Sequence, residues 1–387
     1  MLSLSRRTFL AATAGIGAVA CAKPVFAGEP PRRNTPIPML HGTDLFRPHI
    51  DPDDHWDLAC VYALAYQGRS DLRGVMIDYP PAGQRRDPDV LAVAQMNCLA
   101  GKAVPVMVGC PLRLRRADID KPEAVAALRG VRAYLDVLRQ SPRPTTINIV
   151  GSCRDVAIAG MLEPDLFAEK CAAIYLNAGS GTPDAAKAAH LEYNVALDPS
   201  SYAAIFAMPC PVYWMPCYEE VVVDPGKPSQ VREFGTFYQF RQGDVLPHLS
   251  HDVQNYFAYT FKHGAFESKY QAADSLRPDW LQYLKGPADR ALMARLAAMQ
   301  RSMWCTGGFL HAVGQAVERD GTIVPLTEAK SPVFTFDPIE VSCSADGVTR
   351  WRHDANARKR FIFHVRDQER YAQAMATAMK SLLATLP

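Results

Sequence analysis

Thr43 to Asp57 reads T-D-L-F-R-P-H-I-D-P-D-D-H-W-D, with five aspartates (Asp44, Asp51, Asp53, Asp54 and Asp57) and with His49 and His55 between them. The apolar run Leu58 to Tyr66 follows directly and predicts a helix over 53–67 that ends near Gly68. Carboxylates this crowded repel one another unless a cation or solvent screens them. An oxygen-only cluster suits a hard divalent ion such as Ca2+. Capping explains part of the same stretch: Asp51 is a good N-cap, Pro52 a good first helical residue, and Asp53 and Asp54 suit the positive end of a helix dipole. Asp44 and Asp57 are what capping leaves unexplained.

Outward from this stretch, strand-like and helix-like segments alternate. Leu72 to Ile77 and Val104 to Val108 read as strands, with a helix over Asp89 to Leu99 between them. Ala124 to Leu138 has the apolar period of a helix. Thr146 to Val150 is a strand stopping at Gly151-Ser152, a helix runs from about Asp155 to Gly160, and strands follow at Ala172 to Leu176 and Val212 to Met215. This alternation predicts an α/β fold with a mostly parallel, Rossmann-like open sheet flanked by helices. Ligands of such sheets bind outside the carboxyl ends of the strands, where Asp44, Val150-Gly151-Ser152 and Asn177 fall.

From about 230 to 320 the pattern is helical and rich in aromatics, Tyr238, Tyr256, Trp280 and Trp304 among them. It predicts a helical cap in the C-terminal half that packs on the sheet, with a few rings left to line a ligand pocket. Residues 331–365 return to strands, and Asp367 to Leu386 forms a closing amphipathic helix.

The 387 residues, 48% hydrophobic, are ample for one large domain, and a formal net charge of +2 gives no reason to expect a nucleic acid polymer or an acidic membrane as partner. Past the N-terminus no apolar run is long enough for a transmembrane segment. Ser5-Arg6-Arg7-Thr8-Phe9-Leu10, the apolar run Ala11 to Ala20 and Val25-Phe26-Ala27 together read as a twin-arginine signal peptide over 1–27. The expectation is export of the folded chain to the periplasm or beyond, with 28–387 as the mature domain and its first residues, to about 38, as a linker. Ala18-Val19-Ala20-Cys21 offers lipid anchoring at Cys21 as the alternative. The ten cysteines have no C-x-x-C or zinc spacing and read as buried thiols, a Cys210–Cys217 bridge being the less favoured reading.

Three ordered blocks resemble the inosine–uridine-type nucleoside hydrolases. They are T-D-L…I-D-P-D-D-H-W-D-L-A at 43–59, I-N-I-V-G-S-C-R-D-V-A-I-A-G-M-L-E-P-D-L at 147–166, and L-E-Y-N-V-A-L-D-P-S-S-Y-A-A-I-F at 191–206. The resemblance implies that family's fold, a Ca2+ at the bottom of the crevice and hydrolysis of an N-ribosyl bond. By it Asp44 and Asp54 are carboxylate metal ligands, the backbone carbonyl of Val150 is a neutral one, and Asp53 is the general base. Glu192 and Asn194 then hydrogen-bond the ribose hydroxyls. The implied partner is a small-molecule nucleoside or N-riboside, and the resemblance allows a homo-oligomer.

The departures lie in the C-terminal half. Where the family carries a His-Asp pair this chain reads W-C-T-G-G-F-L-H-A-V-G at 304–314, without an aspartate, and the family's asparagine before the ribose-binding glutamate is Ala186. His311 is the nearest candidate for the missing acid. Asp51 and Asp57 stand as further candidate metal ligands, Asp57 being three residues after Asp54 on the same helical face. Asn177 and His55 are further candidate substrate contacts. Two alternatives stand beside the hydrolase: a sugar- or nucleoside-binding protein that keeps the crevice without turnover, and an enzyme acting on another glycoside.

Overall fold

The computed structural model describes residues 35–47, 52–84, 86–221, 229–263 and 279–387. The expected signal peptide, Cys21, His49 and the candidate ligand Asp51 lie outside the described residues.

Nine strands form one sheet: β1 Ile37–Thr43, β2 Ser70–Ile77, β3 Val106–Val108, β4 Thr145–Ile149, β5 Cys171–Asn177, β6 Val212–Met215, β7 Phe334–Cys343, β8 Thr349–His353 and β9 Arg360–Val365. Their spatial order is β8-β7-β9-β6-β5-β4-β1-β2-β3. From β3 to β9 every neighbouring pair is parallel, and β7 and β8 add an antiparallel edge. The chain leaves β1 toward β2 and β3, then returns to the other side of β1 as β4. The strand order reverses between β1 and β4, and such a reversal opens a crevice at the carboxyl ends. β1 begins at Ile37, so the expected linker ends earlier than read.

Two apolar layers cover the sheet. Met39 of β1 joins the layer under α1 (Asp53–Tyr66) and α2 (Val90–Ala100), while Leu40 joins the opposite layer. Period-2 alternation with both faces covered is why β4 is buried along its whole length. The segment read as one helix at 124–138 is two, α3 Pro122–Ala127 and α4 Arg129–Gln140, meeting at Leu128. Gly130 explains the approach of α4 to β3: a Cβ there would stand 1.8 Å from the carbonyl oxygen of Val108. Gly130→Ala is therefore expected to lower the urea midpoint. The helix-propensity gain is only about 1 kcal/mol, whereas overpacking against backbone costs roughly 1–3 kcal/mol or more. An unchanged or raised midpoint would mean that α4 shifts away cheaply.

Further along lie α5 Arg154–Leu162, α6 Tyr193–Leu197, α7 His251–His263, α8 Thr306–Ala312 and the closing helix α9 Gln368–Leu383. The 230–320 region is not wholly helical: Tyr238–Arg241 and Gln300–Met303 pair as an antiparallel ribbon. It also packs on α1 as well as toward the sheet. Trp56 of α1 stacks on Phe257 at 4.0 Å between centroids and meets Phe240 edge-on at 5.2 Å. Such ring pairs contribute ~0.5–1.5 kcal/mol beyond their buried area. The packing makes α1 an interior helix, buried from Asp54 to Ala65. The nine described cysteines are free thiols, so Cys210 and Cys217 are not bridged. No helix among the described residues is long and apolar enough to cross a membrane.

Candidate active site

A cavity of about 440 Å³ opens at the β1/β4 reversal. Each wall comes from the residues that follow a strand. Asp44 follows β1, Val150 follows β4, and Glu192 and Asn194 come from the segment after β5, while Asp53 and Asp54 stand in the first turn of α1. Main-chain bonds continue the sheet to this edge: the Asp78 N–H donates to the Thr43 carbonyl at 2.8 Å and the Val150 N–H to the Gly42 carbonyl at 2.9 Å. At Gly151 a Cβ would fall 2.4 Å from Oδ2 of Asp78 and 2.8 Å from the main-chain nitrogen of Asp44, so a larger residue would push the β4–α5 turn off the site.

Asp54 is buried and accepts a hydrogen bond from the Thr43 hydroxyl. Burial, followed by the charges of Asp44 and Asp53, pushes its carboxyl well above the usual carboxylate range. Glu192 caps α6: Oε1 accepts the Asn194 N–H at 3.0 Å and Oε2 the Gly179 N–H at 2.9 Å. Burial outweighs those bonds and raises its carboxyl to about 7. Nδ2 of Asn194 donates to the carbonyl oxygens of Val150 at 3.2 Å and Asn177 at 3.4 Å. The segments after β4, β5 and the Glu192 cap are thereby locked together.

His55 lines the cavity with Nε2 3.2 Å from Oδ2 of Asp89, whose other oxygen caps α2 through the Ala92 N–H. Asn177 also lines it, but its amide is engaged inward. Nδ2 donates to the Met215 carbonyl at 2.8 Å and the Thr236 hydroxyl at 3.0 Å, and Oδ1 accepts from the thiols of Cys305 at 3.2 Å and Cys217 at 3.5 Å. These bonds make it a brace of the cavity floor.

Two expectations are corrected by position. His311, on α8, does not line the cavity: Nδ1 shares a 2.7 Å hydrogen bond with the Tyr175 hydroxyl, and the ring packs on Phe336 at 4.5 Å and Tyr213 at 5.2 Å. Burial lowers its pKa to about 4, the state of a neutral core histidine and not of a leaving-group acid. Asp57 is buried in α1 behind the cavity wall, against the Cys305 thiol, with its carboxyl raised to about 7 chiefly by burial. It is not among the lining residues, so it stands behind the candidate ligands and does not replace a missing one.

Four carboxyl groups, those of Asp44, Asp53, Asp54 and Glu192, line the cavity together with Val150. Among the described residues no three Asp, Glu, His or Cys side chains form a group that could hold a metal alone. The crowding that raises the Asp54 carboxyl is what a divalent cation would relieve, and hard oxygen donors suit Ca2+. The donors fit.

Several lining residues have no precedent in the sequence reading. Gln84, Arg86 and Tyr193 contribute polar walls, and Tyr218 meets Trp304 edge-on at 5.9 Å to form an aromatic one. Adjacency was the available signal: Tyr193 lies between Glu192 and Asn194, and Tyr218 stands shortly after β6. Gln84 and Arg86 carry no such signal.

No protein-family model matches this chain, and neither does any curated protein. Solved structures do. The effector protein XOO4466 matches with a TM-score of 0.51 at 15% identity, over 91% of this chain and 95% of that one. At that identity the likeness shows a shared fold. The inosine-uridine preferring nucleoside hydrolase from Bacillus anthracis matches with a TM-score of 0.41 at 12% identity, over 89% of this chain and 99% of that chain. The purine-preferring ribonucleoside hydrolase from Gardnerella vaginalis gives 0.44 at 14% identity, over 89% and 99%.

Proposed function

We propose that the chain is a metal-dependent hydrolase of the N-glycosidic bond of ribonucleosides or related N-ribosides, releasing ribose and a base. One observation carries this: Asp53 stands beside Asp54 in a cavity that also gathers Asp44, the Val150 segment, Glu192 and Asn194. A site that only bound sugar would have no use for a carboxylate base next to a cation site. A bound Ca2+, held by Asp44, Asp54 and the Val150 carbonyl, would offset the clustered negative charge and make water more acidic at the site.

The remaining chemistry belongs to the side chains. Asp53 takes a proton from the attacking water as its oxygen bonds to C1′ of the ribose. The C1′–N bond breaks and its electron pair leaves with the base. Charge of oxocarbenium type develops on the sugar ring, and the surrounding carboxylates stabilise it. Glu192 and Asn194 hold the hydroxyls, and a buried site built for hydroxyls rejects sugars lacking them. Tyr218 and Trp304 offer the base an apolar wall.

Ribose release from purine, pyrimidine and activated aryl ribosides, with Ca2+ and with chelator, tests this reading. Metal-dependent release is expected, fastest from the activated aryl riboside, because residues 304–314 contribute only Trp304 to the cavity and no acid. That same observation favours the second reading, a binding protein without turnover. Ca2+-dependent nucleoside binding with no release from any riboside would replace the first reading with the second.

A further inference from the structure

Arg86 enters the cavity from the loop after β2 and is the only lysine or arginine among its described lining residues. It is half-buried, and Asp44, Asp53, Asp54 and Glu192 line the same space. Its guanidinium nevertheless makes no hydrogen bond or ion pair with any described residue. Gln84 of the same loop hydrogen-bonds the Tyr193 side chain, and the Arg86 charge acts on that same tyrosine. Gln84, Arg86 and Tyr193 therefore form one polar wall next to Glu192 and Asn194.

A guanidinium partly withdrawn from water, with no ion-pair or hydrogen-bond partner among the described residues, is poorly compensated. Four acids nearby would ordinarily capture it. Held apart from them, it is ready for an anion that arrives with the ligand, and its planar fork matches a phosphate bidentately. A volume of about 440 Å³ falls in the ~300–1,000 Å³ range of sites that enclose drug-sized ligands, which leaves room for a phosphate beside sugar and base. In an N-riboside C1′ carries the base, and on the riboside-cleaving reading the carboxylates hold the 2′- and 3′-hydroxyls. The 5′-carbon is the position left to carry an anion.

We infer that the site takes ribonucleotides, N-ribosides bearing a 5′-phosphate that Arg86 receives; this rests on the riboside-cleaving reading of the same cavity. The test compares a nucleoside, its 5′-monophosphate and a pyrophosphate-linked dinucleotide on the wild-type protein and on Arg86→Gln and Arg86→Lys. The expected result is a ratio of kcat/KM, phosphorylated substrate over nucleoside, that exceeds one in the wild type. It should fall at least tenfold in Arg86→Gln and be partly restored in Arg86→Lys, which keeps a point charge. Whichever of the monophosphate and the dinucleotide shows the larger Arg86 dependence identifies a terminal or a bridging phosphate. A ratio that Arg86→Gln leaves unchanged while ribose is still released overturns the inference and spares the hydrolase. If no substrate is cleaved, ribose 5-phosphate is titrated by calorimetry: binding lost in Arg86→Gln upholds the anion subsite and overturns the hydrolase, and no binding to the wild type overturns both.

Discussion

Replacement of Asp53 by alanine is expected to lower kcat for riboside hydrolysis by roughly 10²–10⁴-fold, the usual contribution of a positioned acid or base. The substitution should leave the protein folded. Asp53 is only partly buried, at the first turn of α1, so its truncation removes little packing, and loss of its helix-dipole interaction costs ~0.3–1 kcal/mol. Asp53→Asn separates the roles further: it keeps shape and hydrogen bonding but cannot accept the proton, so it should be nearly as slow as alanine while KM changes little. Steady-state kinetics on the best riboside, with circular dichroism melts of both variants, check this. A loss of less than threefold in kcat for both would place the base elsewhere in the cavity.

The second large effect is expected from the cation. A ligand that binds only the folded state stabilises by RT ln(1 + [L]/Kd), about 2.7 kcal/mol at a concentration of 100 Kd. Calcium should therefore raise the melting temperature measurably, and Asp54→Asn, which keeps shape but loses charge, should remove most of that rise. The effect has a pH direction. In the metal-free protein burial, Asp44 and Asp53 hold the Asp54 carboxyl well above its ordinary range. A proton is thus bound in the folded state at pH values where an unfolded chain has released it, and the stability it contributes is lost as pH rises through the folded pKa. Calcium requires the ionised carboxylates, so it competes with that proton. The calcium-induced rise in melting temperature should be larger at pH 8 than at pH 5.5. A rise independent of pH, or one retained in Asp54→Asn, would mean that the ion sits elsewhere.

Much of the sheet was legible because its strands are short apolar runs bounded by turn residues. β6 has the bounds read from the sequence, and β2, β4 and β5 differ by one or two residues at their ends. Helix bounds were less legible: the single helix read over 124–138 breaks at Leu128, and Gly130 in its second part lies close on β3. Within 331–365 β8 was not singled out as a strand: Thr349–His353 is largely polar and exposed at the sheet edge, and among the described residues it pairs with β7 alone.

For the site, the residue types along the chain determined where acids and amides follow strands. In a parallel sheet every such residue is delivered to the same edge. Asp44, Val150 and Asn177 were placed there by the strand ends and Asp53 and Asp54 by the aspartate cluster, whereas Glu192 and Asn194 were named only through the resemblance; all seven line one cavity. Tertiary structure decided which acids face the cavity and which face the core. Asp54 and Asp57 share a helical face by spacing, yet only Asp54 lines the cavity, because Cys305 backs the next turn of α1 and Phe257 and Phe240 cover its outer side through Trp56. His311 was a candidate through the resemblance, as the nearest ionisable group where the family carries its His-Asp pair, and α8 turns it instead toward Tyr175 and Phe336. Arg86 entered the cavity by the path of a loop. Strand order and residue type are properties of the local chain, whereas the direction a buried side chain faces is set by which distant segments exclude water from it.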